Sequence, residues 1–567
     1  MTTRSFEPDD SLTVTAPNGA RVHRDHLAQG QFIARRLHTV RDGVWCLVGN
    51  GLSNQTFIDA PGGIIAIDTG ESVEEMRMAL AALRTVSQRP VAAVVYSHFH
   101  YVEGTQAVLE EGNCVRPLPV YGHPRISGNK ARAAGEIGPA YGRGLVEQFS
   151  MALPADGPDG NVNVGLGFDY RNPAHAPFTP GYLPVTHEIS DGEVTIAGMR
   201  VLTKWSPSDA DDTVNLYFPS IGTCVHNTVW PALFNVFAIR GEEYRDPRVL
   251  ITGVDNIIAW GPEHLVGAHG EPISGAARVA EVSTRYRDSI QFLWDQTVRG
   301  LNKGWTADEI AQRVTLPALY DEDYLTSERY GLAEHHVRQI CAGLRGWFDG
   351  DEAKLFPLHP AERNARLIAG FGGRATVAQQ AAEAFDSGDL RWGLELAAWL
   401  VRSEGAVQEE RDLLARGLRL LAERTPAANI RSWALTRARH LDRSGPMDRY
   451  YGHTFGSKAN AHTASTDVIR TLRVLVDPAA AEGRTAHVCF VVDGEAAGLH
   501  LRNCVAVPTD GREADATVTL TRRVLLSVLG GKVAWPDAEV EISGDPSAVE
   551  TLRGCLDHAM MSAGARP

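Results

Sequence analysis

His98 and His100 stand two residues apart at the end of the apolar run Val94-Val95-Tyr96-Ser97. Side chains alternate along a strand, so residues at i and i+2 leave it on the same side, where two neutral imidazoles can share one metal ion. Four further positions offer ligands. Asp209 follows the strand-like Met199-Arg200-Val201-Leu202-Thr203, and His226 closes Cys224-Val225-His226. His269 sits in the glycine-flanked turn Gly267-Ala268-His269-Gly270, and Glu103 comes three residues after His100. Histidines and carboxylates are the usual donors to zinc, iron and manganese, so this collection predicts a metal-dependent enzyme. Cys224, close to His226, is expected to be a core thiol.

The elements that must position these groups are short apolar runs separated by glycine-rich turns. Between about residues 35 and 275 they include Val44–Val48, Gly63–Ile67, Val91–Tyr96 and Met199–Thr203. That pattern predicts a sandwich of mixed sheets with helices outside. Glycine and proline concentrate between 136 and 184, which reads as a long loop forming a wall of the site. From about 276 to 443 the periodicity turns helical. Ala378–Ala384, Trp392–Val401 and Glu409–Leu421 read as amphipathic helices, with Asp386-Ser387-Gly388-Asp389 as a turn. A small α/β segment then runs from helix Asp467–Leu475 through strands at Ala486–Val492, Gly498–Arg502 and Ala516–Leu520 to helices near 522–530 and 546–561.

With 567 residues the chain is too long for one core, and 44% hydrophobic with 22% charged residues is ordinary for a soluble protein. No apolar run approaches the ~20 residues that cross a bilayer. The polar, acidic stretch Met1–Asp10 is not a secretory signal, so a cytoplasmic location is expected. The seven cysteines are scattered without a CxxC pair, which suits buried thiols in a reducing compartment. A net charge of −14 argues against nucleic acid as a partner, but a local arginine can still hold an anionic substrate. Abundant arginine beside scarce lysine suggests a GC-rich bacterial source.

Asp68-Thr69-Gly70, His98-Phe99-His100 and Gly267-Ala268-His269-Gly270, in this order, resemble the metallo-β-lactamase superfamily. Gly51-Leu52-Ser53-Asn54, Gly165-Leu166-Gly167, Asn215-Leu216-Tyr217-Phe218-Pro219, Ile239-Arg240-Gly241 and Gly346-Trp347-Phe348-Asp349-Gly350 sharpen the resemblance to its linear alkylsulfatase branch. The resemblance implies an αββα sandwich over 35–290 after an N-terminal extension, 1–34. An all-α dimerisation domain over 291–443, a linker over 444–464 and an α+β domain similar to sterol carrier protein 2 over 465–567 would follow. It also implies a homodimer, with Trp392, Leu396 and Trp399 available as apolar contacts. Apolar surface near Val505–Val507, Val524–Val528 and Trp535 would gather aliphatic substrate.

The family's metal motif, HxHxDH, is altered: Val102 stands at the aspartate and Glu103 at the third histidine. By alignment, Asp209 and His226 take the places of two later glutamates, and His269 matches the final histidine. The expected arrangement is therefore His98, His100 and Asp209 around one ion and Glu103, His226 and His269 around another, with a single-metal site as the alternative. Asp68 is counted with the catalytic residues as a carboxylate that accepts hydrogen bonds near the histidine loop, and Tyr101 as a donor beside the ligands. Arg240 is the candidate anion clamp, assisted by Asn235, because a guanidinium matches sulfate or carboxylate bidentately. The expected activity is hydrolysis, by a metal-activated water, of a substrate with an anionic group and an apolar tail. A second reading is a non-haem iron or manganese oxygenase or oxidase on the same fold. A third is a catalytically silent lipid-binding dimer.

Overall fold

The computed structural model describes residues 5–445, 447, 455, 460 and 463–558. Its contacts divide the chain into two compact units. One comprises 1–124 and 146–446, the other 125–145 and 447–567. Most of the linker expected over 444–464, and the end of the helix expected over 546–561, lie outside the described residues.

The first unit is built on two facing sheets. The first carries seven strands in chain order: Arg36–Arg41, Val44–Val48, Gln55–Ala60, Gly63–Ile67, Val91–Val95, Val120–Gly122 and His187–Glu188. They are antiparallel as far as Gly63–Ile67 and parallel from there on. The second carries Gly192–Ile196, Met199–Trp205, Val214–Phe218, Thr223–His226, His264–Gly267 and Ile273–Ser274, also in chain order. Only Thr223–His226 and His264–Gly267 pair in parallel, joined through helix Pro247–Trp260. A buried layer including Val44, Ile58, Ile65, Val95, Val201, Leu216, Phe218, Val225 and Val266 fills the space between the sheets. Helix Val73–Arg84 covers the outer face of the first sheet and Pro247–Trp260 that of the second, the αββα order expected. Ser72 starts the former by accepting from Glu75 N at 3.1 Å, a cap worth ~1 kcal/mol.

The central strands are apolar at every position because both faces are covered: Gly63–Ile67 and Val91–Val95 are buried throughout. The segment expected as a loop over 136–184 begins instead with helix Gly138–Gln148, and remains largely irregular after it. Its glycines masked a helical spacing of Tyr141, Leu145 and Gln148 in the sequence.

Helix Ala276–Asn302 opens the α-helical part, which continues through Arg374–Asp386, Leu390–Val401, Gln408–Arg424 and Ala428–Leu441. Leu396 and Trp399 lie inside its core and Trp392 packs against it, so within one chain they serve the helical core. The N-terminal hairpin Thr13–Thr15/Arg21–His23 joins this part through an Arg21 Nε–Glu423 bond of 2.9 Å.

The second unit is a five-stranded sheet in the order Val505–Thr509, Glu495–Arg502, Ala486–Val492, Ala516–Leu520, Glu541–Gly544, with helices including Ser465–Thr471, Arg522–Leu529 and Pro546–Gly554. The two edge strands escaped the sequence reading; Glu541–Gly544 is exposed at every position and carries no apolar alternation. Of the expected apolar surface, Leu525, Val528 and Trp535 are spent on the core, whereas Val505 is exposed.

Candidate metal centre

Every proposed ligand leaves the end of a strand or the loop just beyond it, on the rim where the two sheets meet. Asp68 follows Gly63–Ile67 in a left-handed backbone conformation, φ 56°. Its carboxylate accepts from Ser97 N at 2.8 Å and from Ser97 Oγ at 2.7 Å. The same hydroxyl lies 2.8 Å from His98 Nδ1. A serine hydroxyl has one proton to give, and here Asp68 takes it. With the Asp68 carboxylate ionised, His98 Nδ1 is the donor, which leaves the lone pair on Nε2, the atom that the Asn227 Nδ2 amide faces at 3.4 Å. Burial pushes Asp68 up to about 7 and His98 down to about 3, so His98 is a neutral imidazole suited to ligation.

Asp209 reaches the pair from the loop between Met199–Trp205 and Val214–Phe218. That loop is closed by Ser206 N to Thr213 O at 2.9 Å and tied to the first sheet by Val214 N to Ser97 O at 2.9 Å. Asp209 Oδ2 is 3.0 Å from His100 Nδ1, and Oδ1 is 4.0 Å from His98 Nε2. Donor atoms of His98, His100 and Asp209 all lie within 4.8 Å of one another, the only such group among the described residues. Burial opposes charge on Asp209, but His100, His98 and then Arg245 outweigh it and hold the carboxylate well below its ordinary range. Two imidazoles and one ionised carboxylate converging in a buried pocket fit one divalent ion with coordination positions to spare.

The second expected trio does not assemble. Gly70 and Val102 form a parallel bridge, Glu103 N donates to Gly70 O at 3.0 Å, and the Val102 side chain is buried. This path turns Glu103 toward the 181–182 segment, where its carboxylate accepts from Tyr182 N at 3.2 Å. His226 Nδ1 faces the amides of Thr228 and Val229, at 3.1 and 3.3 Å, so its proton sits on Nε2. His269 does turn to the centre. Its Nδ1 donates to Leu52 O at 2.9 Å, and its Nε2 lies 3.4 Å from Tyr101 Oη. Asn54 locks this turn in place, donating from Nδ2 to Gly267 O and Gly270 O at 2.8 and 2.7 Å and from its backbone to Ala268 O at 2.7 Å. Tyr101 packs edge-on against both His98 and His269. Cys224 is a fully buried thiol whose burial pushes it above its ordinary range.

Arg240 is buried beside the ligands, but its guanidinium faces Glu242, with Nε and Nη2 at 3.1 and 3.0 Å from Oε1. The same Oε1 is 3.8 Å from His100 Nε2. Burial disfavours charge on Glu242, yet Arg240 and then His100 overcome it and keep the carboxylate ionised. Asn235 is buried in the same region, bonded through its backbone oxygen to Arg245 Nη1 at 2.6 Å. Phe149, stacked on Tyr170 with centroids 5.0 Å apart, places its ring 5.9 Å from the Arg240 guanidinium carbon.

Sequence reasoning missed Ser97, Asn227, Glu242 and Arg245. Asn227 donates to Asp209 Oδ1 at 2.7 Å and accepts from Trp230 Nε1 at 3.2 Å, which sets its amide orientation. Asn227 and Ser97 are each adjacent to a proposed ligand, a signal that was available; Glu242 and Arg245 carried none beyond proximity to Arg240.

Three family models match the chain: metallo-beta-lactamase superfamily over 48–101, alkyl sulfatase dimerisation over 306–444 and alkyl sulfatase C-terminal over 458–562. A linear primary-alkylsulfatase from a Pseudomonas species is 32% identical over 524 residues, spanning 88% of this chain and 98% of that protein. An alkyl/aryl-sulfatase from Saccharomyces cerevisiae is 27% identical over 540 residues, 92% of this chain and 82% of its own length. The structure of a stereoselective inverting sec-alkylsulfatase from a Pseudomonas species superposes with a TM-score of 0.84 at 25% identity, covering 96% of this chain and 88% of that one. No helix among the described residues is long and apolar enough to cross a membrane. These likenesses favour hydrolysis over the redox and silent readings. The chain belongs to the alkylsulfatase family, a group of metal-dependent hydrolases within the metallo-β-lactamase superfamily.

Proposed function

We propose that this chain hydrolyses sulfate esters of apolar alcohols with one zinc ion held by His98, His100 and Asp209. The observation that carries this reading is the convergence of those three donors within 4.8 Å, in a chain of this family. An ion bound there would supply a Lewis acid and activate water for attack on the ester.

The chain's own residues do the rest. Asp68, through Ser97, holds His98 in the tautomer that offers Nε2. Asn227 steadies Asp209, and Tyr101 with His269 closes the far side of the pocket. Burial keeps the Tyr101 phenol well above its ordinary value, so it stays a proton donor through the working pH range. The stacked Phe149–Tyr170 pair is the apolar wall for the substrate's chain. Val102 and Glu103 leave no second trio, so one ion per chain is expected. The helical part, 306–444, is proposed to pair two copies of the chain.

The test is sulfate release from dodecyl sulfate by purified, zinc-loaded protein, with metal counted per chain. About one zinc per chain, turnover, and loss of both in His98→Ala support the reading. A zinc-loaded protein that releases no sulfate from primary or secondary alkyl sulfates refutes it.

A further inference from the structure

We infer that Glu75 is a positioning residue of the metal centre: its buried carboxylate braces, from behind, the two loops that orient His98 and His269. The inference rests on the zinc-hydrolase reading and adds to it a residue placed behind those loops, acting through the backbone they share.

Ser72-Val73-Glu74-Glu75 has the pattern of a capping box, in which the glutamate turns back to the backbone N–H of the cap residue. The structure puts Glu75 to another use. Its Oε2 accepts from Glu71 N at 3.0 Å and its Oε1 from Gln55 Nε2 at 2.9 Å. One carboxylate thereby joins the loop that follows Gly63–Ile67 to the start of Gln55–Ala60. Glu75 is 2% exposed, so water does not compete for these bonds as bulk solvent would. Glycine at 51 makes the same point independently. A Cβ there would lie 2.2 Å from Glu75 Oε1 and 2.6 Å from Oε2, and its three nearest atoms all belong to that carboxyl group. Gly51 does not adopt a positive φ, so what its lack of a side chain supplies is room for the carboxylate.

Each of the two bonds leads on to a histidine. Gln55 Nε2 also donates to Ser53 O at 3.0 Å, and Asn50 Nδ2 donates to Gln55 Oε1 at 3.1 Å and to Glu75 O at 3.0 Å. Between these tied residues lies Leu52, whose oxygen accepts from His269 Nδ1 at 2.9 Å. On the other side, Glu71 directly follows Asp68-Thr69-Gly70. Asp68 fixes His98 through the Ser97 hydroxyl, and Thr69 N donates to Tyr101 O at 2.8 Å. The acceptors that set the orientation of His98 and of His269 thus sit on two loops with a single brace. A group that holds such acceptors in place tunes the centre without touching it.

Zinc affinity of the full chain, by competition with an indicator, tests the assignment through a double-mutant cycle. The measurements are made above about pH 7, the value to which burial pushes Glu75, so that the carboxylate accepts both bonds. Glu75→Ala and Gly51→Ala should each weaken zinc about three- to tenfold, less than loss of a group bonded directly to a ligand histidine. Their effects should not add: with the carboxylate gone, the new methyl at 51 has room, and the double variant should match Glu75→Ala within about twofold. Leu80→Ala, a buried position on the same helix, should lower the melting temperature and leave zinc affinity unchanged. On zinc-saturated Glu75→Ala, kcat for dodecyl sulfate should fall about fivefold or more with KM within about threefold, because the Phe149–Tyr170 wall is untouched. If Glu75→Ala does not fold, Glu75→Gln takes its place, since it keeps the volume but sets an amide N–H₂ against one of the two donors. A zinc affinity in the Glu75 variant no weaker than in Leu80→Ala, or losses that add in the double variant, overturns the inference. The parent reading is scored separately. A wild type that releases no sulfate sinks that reading and leaves zinc affinity to judge the brace, whereas turnover with zinc affinity indifferent to Glu75 sinks the brace alone.

Discussion

Ser97→Ala should weaken zinc binding without unfolding the sandwich. The hydroxyl bridges Asp68 Oδ2 at 2.7 Å and His98 Nδ1 at 2.8 Å, and the backbone bond from Ser97 N to Asp68 Oδ1 survives the substitution. His98 is fully buried, so its Nδ1–H is left without an acceptor, an orphan worth about 1–3 kcal/mol. The proton is then free to move to Nε2, the nitrogen needed by the ion. Loss of groups that orient a metal-bound histidine usually costs 10–100-fold in affinity, which is about 1.4–2.7 kcal/mol and agrees with the orphan's cost. Competition against a zinc indicator, for wild type, Ser97→Ala and Ser97→Thr, reads this directly. Ser97→Thr keeps the hydroxyl and should stay close to wild type. A zinc affinity for Ser97→Ala within about threefold of wild type, with the melting temperature lowered, would show that Ser97 supports the fold and not the tautomer.

His226→Ala should leave zinc content unchanged while Asp209→Ala removes it, because His226 is turned to the Thr228 and Val229 amides; metal analysis of both variants decides. Val102→Asp combined with Glu103→His should raise zinc from about one to about two per chain, and a double variant still at one would show that the local backbone, not the side chains, prevents a second site. Gly104→Ala should destabilise by about 1–3 kcal/mol or more, since its Cβ would lie 2.0 Å from Thr69 O and 2.9 Å from Ser72 O, backbone atoms that cannot step aside; a thermal melt unchanged from wild type would count against the packing described. Burial pushes Asp68 and Glu75 up to about 7, above their unfolded values, so each binds a proton more readily when folded. Their contribution to the metal-free protein is fully present below about pH 4 and is lost as pH rises through about 7, so chemical denaturation should show stability falling over that window and Glu75→Gln should flatten the fall.

What was legible in the sequence was whatever a strand end fixes locally. The buried runs before His98 and His269, and the apolar stretch ahead of Asp209, place those side chains at one rim of the sandwich, and residue spacing alone carries that information. Glu103 was misplaced because its direction depends on the Gly70–Val102 bridge, a pairing between segments far apart in the chain. Arg240 looked like an open clamp because nothing in its motif shows that Glu242 folds back onto it. Asn227 and Ser97 could be seen as neighbours of ligands, but their roles come from hydrogen bonds that close only when the loops meet. Edge strand Glu541–Gly544 failed for a different reason: with both faces wet, it has no apolar alternation to read.

The grip of Asn54 on the turn that carries His269 has a consequence for how such a centre can change over generations. Its three bonds end on backbone oxygens of Gly267, Ala268 and Gly270, and His269 itself hangs from the Leu52 oxygen. Main-chain atoms are the same whatever residue occupies a position, so the course of the chain around the pocket is insulated from the identity of the donors it displays. Substitutions at 102 and 103 can therefore thin the inventory of ligands without loosening the frame. The architecture tolerates trial chemistries one side chain at a time.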